Sequence, residues 1–197
     1  MLKKRNKRVL LISISIIILL GGMLTLIYIP EKDIINLNDI PKQFKINTDK
    51  NYIYYQDGND CSAFAASYVM RHLGKDINAS DLYSDINRMF GLVSANSVVE
   101  LFEKYDYNAK AYHGDINTLK SRLLDGIPVI AFVSIPNDTH YIVIVGYDED
   151  YIYIVDSILE NCNEDGGWYN RKLSIDEFKD IWKTNMYPVD DVYIVIR

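Results

Sequence analysis

Cysteine and histidine are scarce in this sequence, which has two cysteines and three histidines among its 197 residues. Two cysteines allow at most one disulfide bond, and the sequence leaves a bridge between Cys61 and Cys162 open. A domain of about 150 residues nevertheless buries enough surface to fold without one. The three histidines are too scattered for a zinc site, and no metal-ligand spacing accompanies them. We therefore expect neither a metal nor another cofactor.

Nucleotide and nucleic-acid signatures are missing as well. The sequence contains no glycine-rich phosphate-binding loop and no internal repeat. Five basic residues lie within residues 1–8, and without them the formal charge of the chain falls from −6 to −11. The rest of the chain is therefore strongly acidic, which argues against nucleic acid and anionic lipid as its partners.

One long apolar run follows the basic residues. Residues 9–29 are uncharged and mostly apolar, and at about 1.5 Å per residue they span roughly the 30 Å of a bilayer core. Basic residues before the run, with Glu31 and Asp33 after it, predict a single-pass signal anchor whose N-terminus is cytoplasmic. A cleaved signal peptide is the alternative, but no small-residue cleavage pattern precedes Pro30. This interpretation gives a cytoplasmic segment (1–8), a transmembrane helix (9–29), a polar stalk (30–50) and an extracellular domain (51–197).

The hydrophobic period changes along the domain. Between residues 60 and 125, apolar residues recur at helical spacing, and the first helix begins at Asp60 or Cys61. The later runs "PVIAFVS", "HYIVIVGY" and "YIYIVD" are β-branched and aromatic, and "DED" between the last two is typical of a hairpin. Ser174 and Glu177 form a capping box for a last helix, and "DVYIVI" predicts a last strand. This order predicts an α+β domain with helices first and a mostly antiparallel sheet.

Cys61 is the candidate nucleophile. In the first turn of a helix it faces unpaired backbone N–H groups and the positive end of the helix dipole, which both favour the thiolate. A free cysteine is most often a buried apolar residue, but Asp57, Asn59 and Asp60 make this stretch polar. Cys162 lies among acidic residues in "ENCNEDGG", and these should raise its pKa.

Only one of the three histidines suits the role of a base for Cys61. His72 lies about 16 Å along the same helix, and His113 precedes Gly114 in a predicted exposed loop. His140 begins the most apolar predicted strand, directly after the polar turn "PNDT".

The hairpin provides His140 with a carboxylate. If "DED" is a three-residue loop, Tyr147 pairs with Tyr151, and Ile142 then faces Asp156. His140 lies two residues from Ile142 and therefore on the same face of the sheet as Asp156. Cys61, His140 and Asp156 thus satisfy the pattern of nucleophile, base and orienting group. At a hairpin end, we expect replacement of the Asp156 carboxylate by an amide to leave the fold intact.

The stretches "DCSAFAASYVMRHLGKD", "HYIVIVGYDEDYIYIVDS" and "RKLSIDEFKDIW" resemble C39-like cysteine peptidase domains of the papain-like superfamily, over most of residues 52–197. The resemblance implies a papain-like fold and a thiol peptidase that acts on a peptide or protein substrate without a cofactor. Carried over by position, Cys61, His140 and Asp156 form the triad, and Gln56 is the oxyanion donor. Two positions depart from the family pattern. Ser62 replaces the usual glycine, and Gln56 precedes the cysteine by five residues instead of six.

Two other functions stay open. "DCSAF" also resembles the "DCSGF" start of NlpC/P60 cell-wall amidases, although the spacing of His140 and Asp156 favours the C39-like interpretation. Because Ser62 replaces the glycine of the family, a second interpretation also stays open: a catalytically silent domain that binds a peptide in the same groove. The C39-like domains of bacteriocin exporters are fused to transporter segments, and this sequence shows none. Leader-peptide processing by that route is therefore not expected of this chain alone.

Overall fold

The computed structural model describes residues 29–35, 40–48, 51–89, 91–165, 167–184 and 186–197. Five α-helices lie in these residues, namely α1 (Cys61–His72), α2 (Ala79–Asp85), α3 (Ala95–Lys104), α4 (Ile116–Leu123) and α5 (Ile175–Trp182). Eight strands accompany them, namely β1 (Glu31–Lys32), β2 (Phe44–Lys45), β3 (Ala109–His113), β4 (Val129–Ile135), β5 (Asp138–Tyr147), β6 (Tyr151–Val155), β7 (Arg171–Ser174) and β8 (Val192–Ile196).

The strands form one mixed sheet in the order β1-β3-β8-β4-β5-β6-β7, and β2 pairs with the end of β5. The pair β1–β3 is parallel, and the other pairs are antiparallel. The prediction of an α+β domain with a mostly antiparallel sheet is therefore confirmed.

Helices cover both faces of the sheet. On one face, α1, α2 and α3 pack on inward residues such as Phe132 and Val143. On the other face, α4 and α5 pack on the alternate residues, such as Ala131 and Ile144. Because both faces are buried, the central strands consist of unbroken apolar runs instead of alternating apolar and polar residues.

Local capping sets several of the helix boundaries. Ser174 and Glu177 form the predicted capping box at the start of α5. Gly74 follows α1 with a φ of 89°, a left-handed conformation that costs glycine little. These short signals mark the end of α1 and the start of α5.

The β5–β6 hairpin reaches the predicted register by a different route. At the turn, Tyr147 pairs with Ile152 instead of Tyr151. A bulge between Ile144 and Gly146 then absorbs one residue, so that Val143 faces Val155. The longer turn and the bulge compensate for each other. His140 and Asp156 consequently lie on the same face, as predicted.

The segment predicted to be a stalk contributes to the domain. Within it, β1 pairs with β3 and β2 pairs with β5, and Ile46 is buried. Asp33 is also buried, and it accepts two hydrogen bonds from the Arg122 guanidinium and one from the Tyr193 hydroxyl. The structure corrects the prediction of a polar stalk for residues 30–35 and 40–48, which pack on the domain. Two-residue strands and a buried aspartate have no periodic signature, so the sequence reads as a solvated linker.

The predicted transmembrane helix at residues 9–29 lies almost entirely outside the described residues. In the part of the chain that the structure describes, no helix is both long and apolar enough to cross a bilayer.

Candidate active site

A cleft of about 120 Å³ opens where the start of α1 meets the start of β5. Gln56, Cys61 and His140 line this cleft together. Its other walls combine apolar and polar residues. The apolar ones are Leu92, Val93, Ile135, Tyr141, Ile158 and Met186, and the polar ones include Asn59, Ser62, Asp138 and Thr139. Three of the four residues predicted for the site therefore share one concave surface, and Asp156 lies behind it.

Cys61 is the first residue of α1, as predicted. The preceding Asp60 makes no side-chain capping bond, and its carbonyl accepts the N–H groups of Ala63 and Phe64. Cys61 is half-buried and is not bonded to Cys162, since both cysteines are free. The disulfide interpretation is therefore wrong.

His140 is 1% exposed and lies on β5 between Cys61 and Asp156. Its Nε2 is 2.8 Å from Asp156 Oδ1. Burial lowers the pKa of His140, but the hydrogen bond to Asp156, the Cys61 thiol and the charges of both groups outweigh burial and raise it to about 9. The protonated ring is therefore favoured at neutral pH.

Asp156 follows the last residue of β6 and is 0% exposed. Besides His140, three donors reach its carboxylate, namely the Ile158 N–H (2.9 Å), the Asn161 amide (3.2 Å) and the Arg171 guanidinium (2.8 Å). Burial raises the pKa of Asp156, but His140, the Ile158 N–H and Arg171 together lower it below the usual range. The carboxylate is held ionised.

Asn170 fixes the backbone of Asp156. Its side-chain oxygen accepts the Asp156 N–H at 2.8 Å, and its side-chain amide donates to the Asp156 carbonyl at 2.7 Å. Asn170 is itself fully buried, and it directly precedes Arg171 on β7. Asp156 is thus held through both its backbone and its side chain by one short stretch of chain.

Gln56 is held beside Cys61 by the residue that follows Asp156. Its backbone N–H donates to the Ser157 carbonyl at 2.9 Å, and its side-chain oxygen accepts the Ser157 hydroxyl at 2.6 Å. The Gln56 amide nitrogen donates to the Gly58 carbonyl. An amide carries two N–H donors, and among the described residues this bond uses one of them.

Sequence reasoning missed Asn170, Arg171 and Ser157. The stretch "RKLS" of β7 has no alternating apolar pattern, and nothing in it points to the distant Asp156.

Cys162 was predicted to lie in an acidic loop, and the structure places its sulfur 3.4 Å from the Ile158 carbonyl, close to Asp156. Burial, followed by the charge of Asp156, raises its pKa to about 11.

The remaining polar candidates have separate surroundings. His72 contacts the Gly126 carbonyl at 2.9 Å, and His113 ends β3. Ser62 is 1% exposed and lines the cleft, and its hydroxyl has no partner among the described residues. No group of three or more potential metal ligands occurs in the described part of the chain.

The sheet, the helices on its two faces and the cysteine at the start of α1 define a papain-like α+β fold. Residues 49–191 match the model of the Peptidase C39 family. The chain belongs to this family.

Solved structures support the same fold. The peptidase domain of Streptococcus ComA, a bifunctional ABC transporter involved in quorum sensing, is 18% identical with a TM-score of 0.61, covering 74% of this chain and 96% of that domain. A double glycine motif protease from an AMS/PCAT transporter, solved in complex with the leader peptide, is 18% identical with a TM-score of 0.55, covering 76% and 92%. A putative C39-like peptidase from Bacillus anthracis is 16% identical with a TM-score of 0.57, covering 78% and 98%. No curated protein sequence matches the chain.

Proposed function

We propose that this protein is a cysteine peptidase that hydrolyses peptide bonds through Cys61, His140 and Asp156. The observation that carries the proposal is the buried Asp156–His140 pair, which lies directly behind the cleft that Cys61 lines. A carboxylate behind a histidine beside a helix-start cysteine is the arrangement that generates a reactive thiolate.

The first half of the reaction forms an acyl-enzyme. The Cys61 thiolate attacks the carbonyl carbon of the scissile bond, and the other N–H of the Gln56 amide stabilises the developing oxyanion. Asp156 engages Nε2 of His140, so Nδ1 is the nitrogen that serves the thiol and the leaving group. The His140 imidazolium donates its Nδ1 proton to the departing amine as the C–N bond breaks.

The second half regenerates the enzyme. Neutral His140 takes a proton from water, and the resulting hydroxide attacks the thioester carbon. The C–S bond breaks, the carboxylic acid leaves, and Cys61 returns as the thiolate beside protonated His140. Asp156 stays ionised throughout and keeps the ring in one orientation.

A peptide segment is the substrate class that best suits this cleft. The apolar residues of the lining can contact uncharged side chains of an extended chain, and the polar ones can bond its backbone. The similar transporter protease was solved with a leader peptide. We propose further that residues 9–29 anchor the protein in the cell membrane with its N-terminus in the cytoplasm and the domain outside. The basic residues before the apolar run support that orientation.

The test of the proposed chemistry uses both cysteines. The full-length wild type, Cys61→Ala and Cys162→Ala are incubated with a diverse peptide library, and the products are identified by mass spectrometry. Cleavage by the wild type and by Cys162→Ala, but not by Cys61→Ala, supports the peptidase. A silent peptide-binding domain would instead retain peptides without cleaving them, whether or not Cys61 is present. Release of fragments from peptidoglycan alone would favour the amidase.

A further inference from the structure

Asp156 has a second ionic partner on the side away from His140. Its Oδ1 accepts the bond from His140, and its Oδ2 accepts the bond from Arg171 at 2.8 Å. The Arg171 side chain is only 12% exposed. The carboxylate therefore lies between two positively charged groups in a largely water-free environment.

The titratable groups around this pair come from several elements. They are Tyr55 before α1, Cys61 on α1, Tyr141 on β5, Glu160 and Cys162 after β6, Arg171 on β7 and Glu177 on α5. Of these groups, Arg171 alone carries a fixed positive charge. It is also the one that shares a carboxylate with the ring.

We propose that Arg171 is a positioning residue that divides the charge of Asp156 between itself and His140, and so limits how tightly the ring holds its proton. With Asp156 and His140 alone, protonation of the ring completes a neutral buried ion pair. With Arg171 present, the same protonation leaves one net positive charge on Arg171, Asp156 and His140 together. A buried positive charge nearby disfavours protonation of the ring.

This limit matters for the proposed reaction, on which the catalytic meaning of the inference rests. His140 must give its proton to the leaving amine and later take one from water, and both transfers are fastest when the pKa of the ring is near the working pH. A ring held only by Asp156 would bind its proton too tightly for the first transfer. Asn170, directly before β7, supports the arrangement, because it fixes the Asp156 backbone.

The matched variants remove or keep the positive charge at position 171, and a control variant removes one at position 172. Arg171→Gln keeps an N–H donor but removes the charge, and Arg171→Met does so without a donor. Arg171→Lys keeps the charge. Lys172→Met removes one positive charge from the neighbouring position of β7, where the Lys172 ammonium lies 4.0 Å from the centroid of the Tyr151 ring instead of contacting Asp156.

The measurement is an NMR titration of the histidine ring carbons in the full-length chain, which has three histidines. The His140 signal is identified by its loss in His140→Gln. We expect Arg171→Gln to raise the pKa of His140 by about one unit, which is a tenfold tighter hold on the proton. Arg171→Lys and Lys172→Met should leave it within a few tenths of a unit. If Arg171→Gln does not fold, Arg171→Met provides the same comparison.

The outcomes distinguish an Arg171 that shares the charge of Asp156 from an Arg171 that only orients Asp156. A His140 pKa that stays constant or falls in both Arg171→Gln and Arg171→Met would refute the proposal. If Arg171 only oriented Asp156, its loss would weaken the bond from Asp156 to the ring and would lower the pKa of His140. An equal rise in Lys172→Met would also refute it. The titration needs no turnover, so an upward shift in a protein that cleaves no peptide would keep the role of Arg171 and reject the proposed function.

Discussion

Replacement of Asp156 by asparagine would remove a negative charge from the most enclosed group of the site. The carboxylate is 0% exposed and accepts hydrogen bonds from four donors. An asparagine of the same shape has one acceptor oxygen and one NH₂ group. If its oxygen faces His140, its NH₂ group faces the Arg171 guanidinium, and two donors oppose each other.

The expected cost follows from the charge that is left behind. The Arg171 side chain is 12% exposed, and breaking a buried ion pair by removing one partner costs about 3–5 kcal/mol of folding free energy. Domains of this kind are stable by roughly 5–15 kcal/mol in total. Asp156→Asn should therefore lose a large share of the stability, besides slowing turnover. The sequence alone predicted that an amide at this hairpin end leaves the fold intact, whereas the buried ion pair predicts a marked loss of stability.

Urea unfolding of the full-length chain measures this cost. Asp156→Asn should unfold at least about 1 M earlier than the wild type, since the urea dependence is typically 1–3 kcal/mol per molar. Adding Arg171→Met to Asp156→Asn should recover part of the loss, because the unpaired charge is then gone. Asp180→Asn, on an 82% exposed side chain, serves as the control and should change little. A loss below about 1 kcal/mol, or a double variant no more stable than Asp156→Asn, would refute the reasoning.

Three further predictions follow from the same structure. Iodoacetamide should modify Cys61 faster than Cys162 between pH 6 and 8, because the pKa of Cys162 is raised to about 11. Peptide mapping checks this, and equal rates would contradict it. The folded-state pKa of His140 is about 9 against an ordinary 6.5, so its stabilising contribution is complete below pH 6.5 and is lost as the pH rises through 9. Thermal unfolding from pH 6 to 10 should show this decline in the wild type but much less in His140→Gln. Arg122→Met should cost a few kcal/mol, because buried Asp33 then loses its ionic partner and keeps only the bond from the Tyr193 hydroxyl. Unchanged urea unfolding would exclude a stabilising role for the Asp33–Arg122 pair.

The sequence predicted the site better than it predicted the surroundings of the site. Cys61 is recognisable because a polar turn meets an amphipathic helix at that residue, and a local signal of this kind needs no knowledge of the fold. The facing of His140 and Asp156 follows from strand alternation, although the prediction relied on a tight turn and the structure uses a longer turn with a bulge.

Contacts between distant segments were beyond the reach of such reasoning. Arg171 meets Asp156 through the pairing of β6 with β7, and the four residues of β7 show no strand pattern. Asp33 is far from Arg122 in sequence and reads as a solvated charge, yet it is 4% exposed. A buried ion pair is defined by both partners together, and neither residue alone signals it.

The position of β8 has a consequence for how the protein is made. This strand follows the other strands in the chain but lies between β3 and β4 in the sheet. Ala109 of β3 pairs with Ile196, and Ile130 of β4 pairs with Ile194. During synthesis, the portion that carries β1 and β3 has no strand to join it to the portion that carries the cleft until residues 192–196 emerge. Long-range pairings of this kind form late and slowly. A growing chain therefore exposes two unpaired sheet edges, and a chaperone that binds extended apolar strands would find its targets there until β8 inserts.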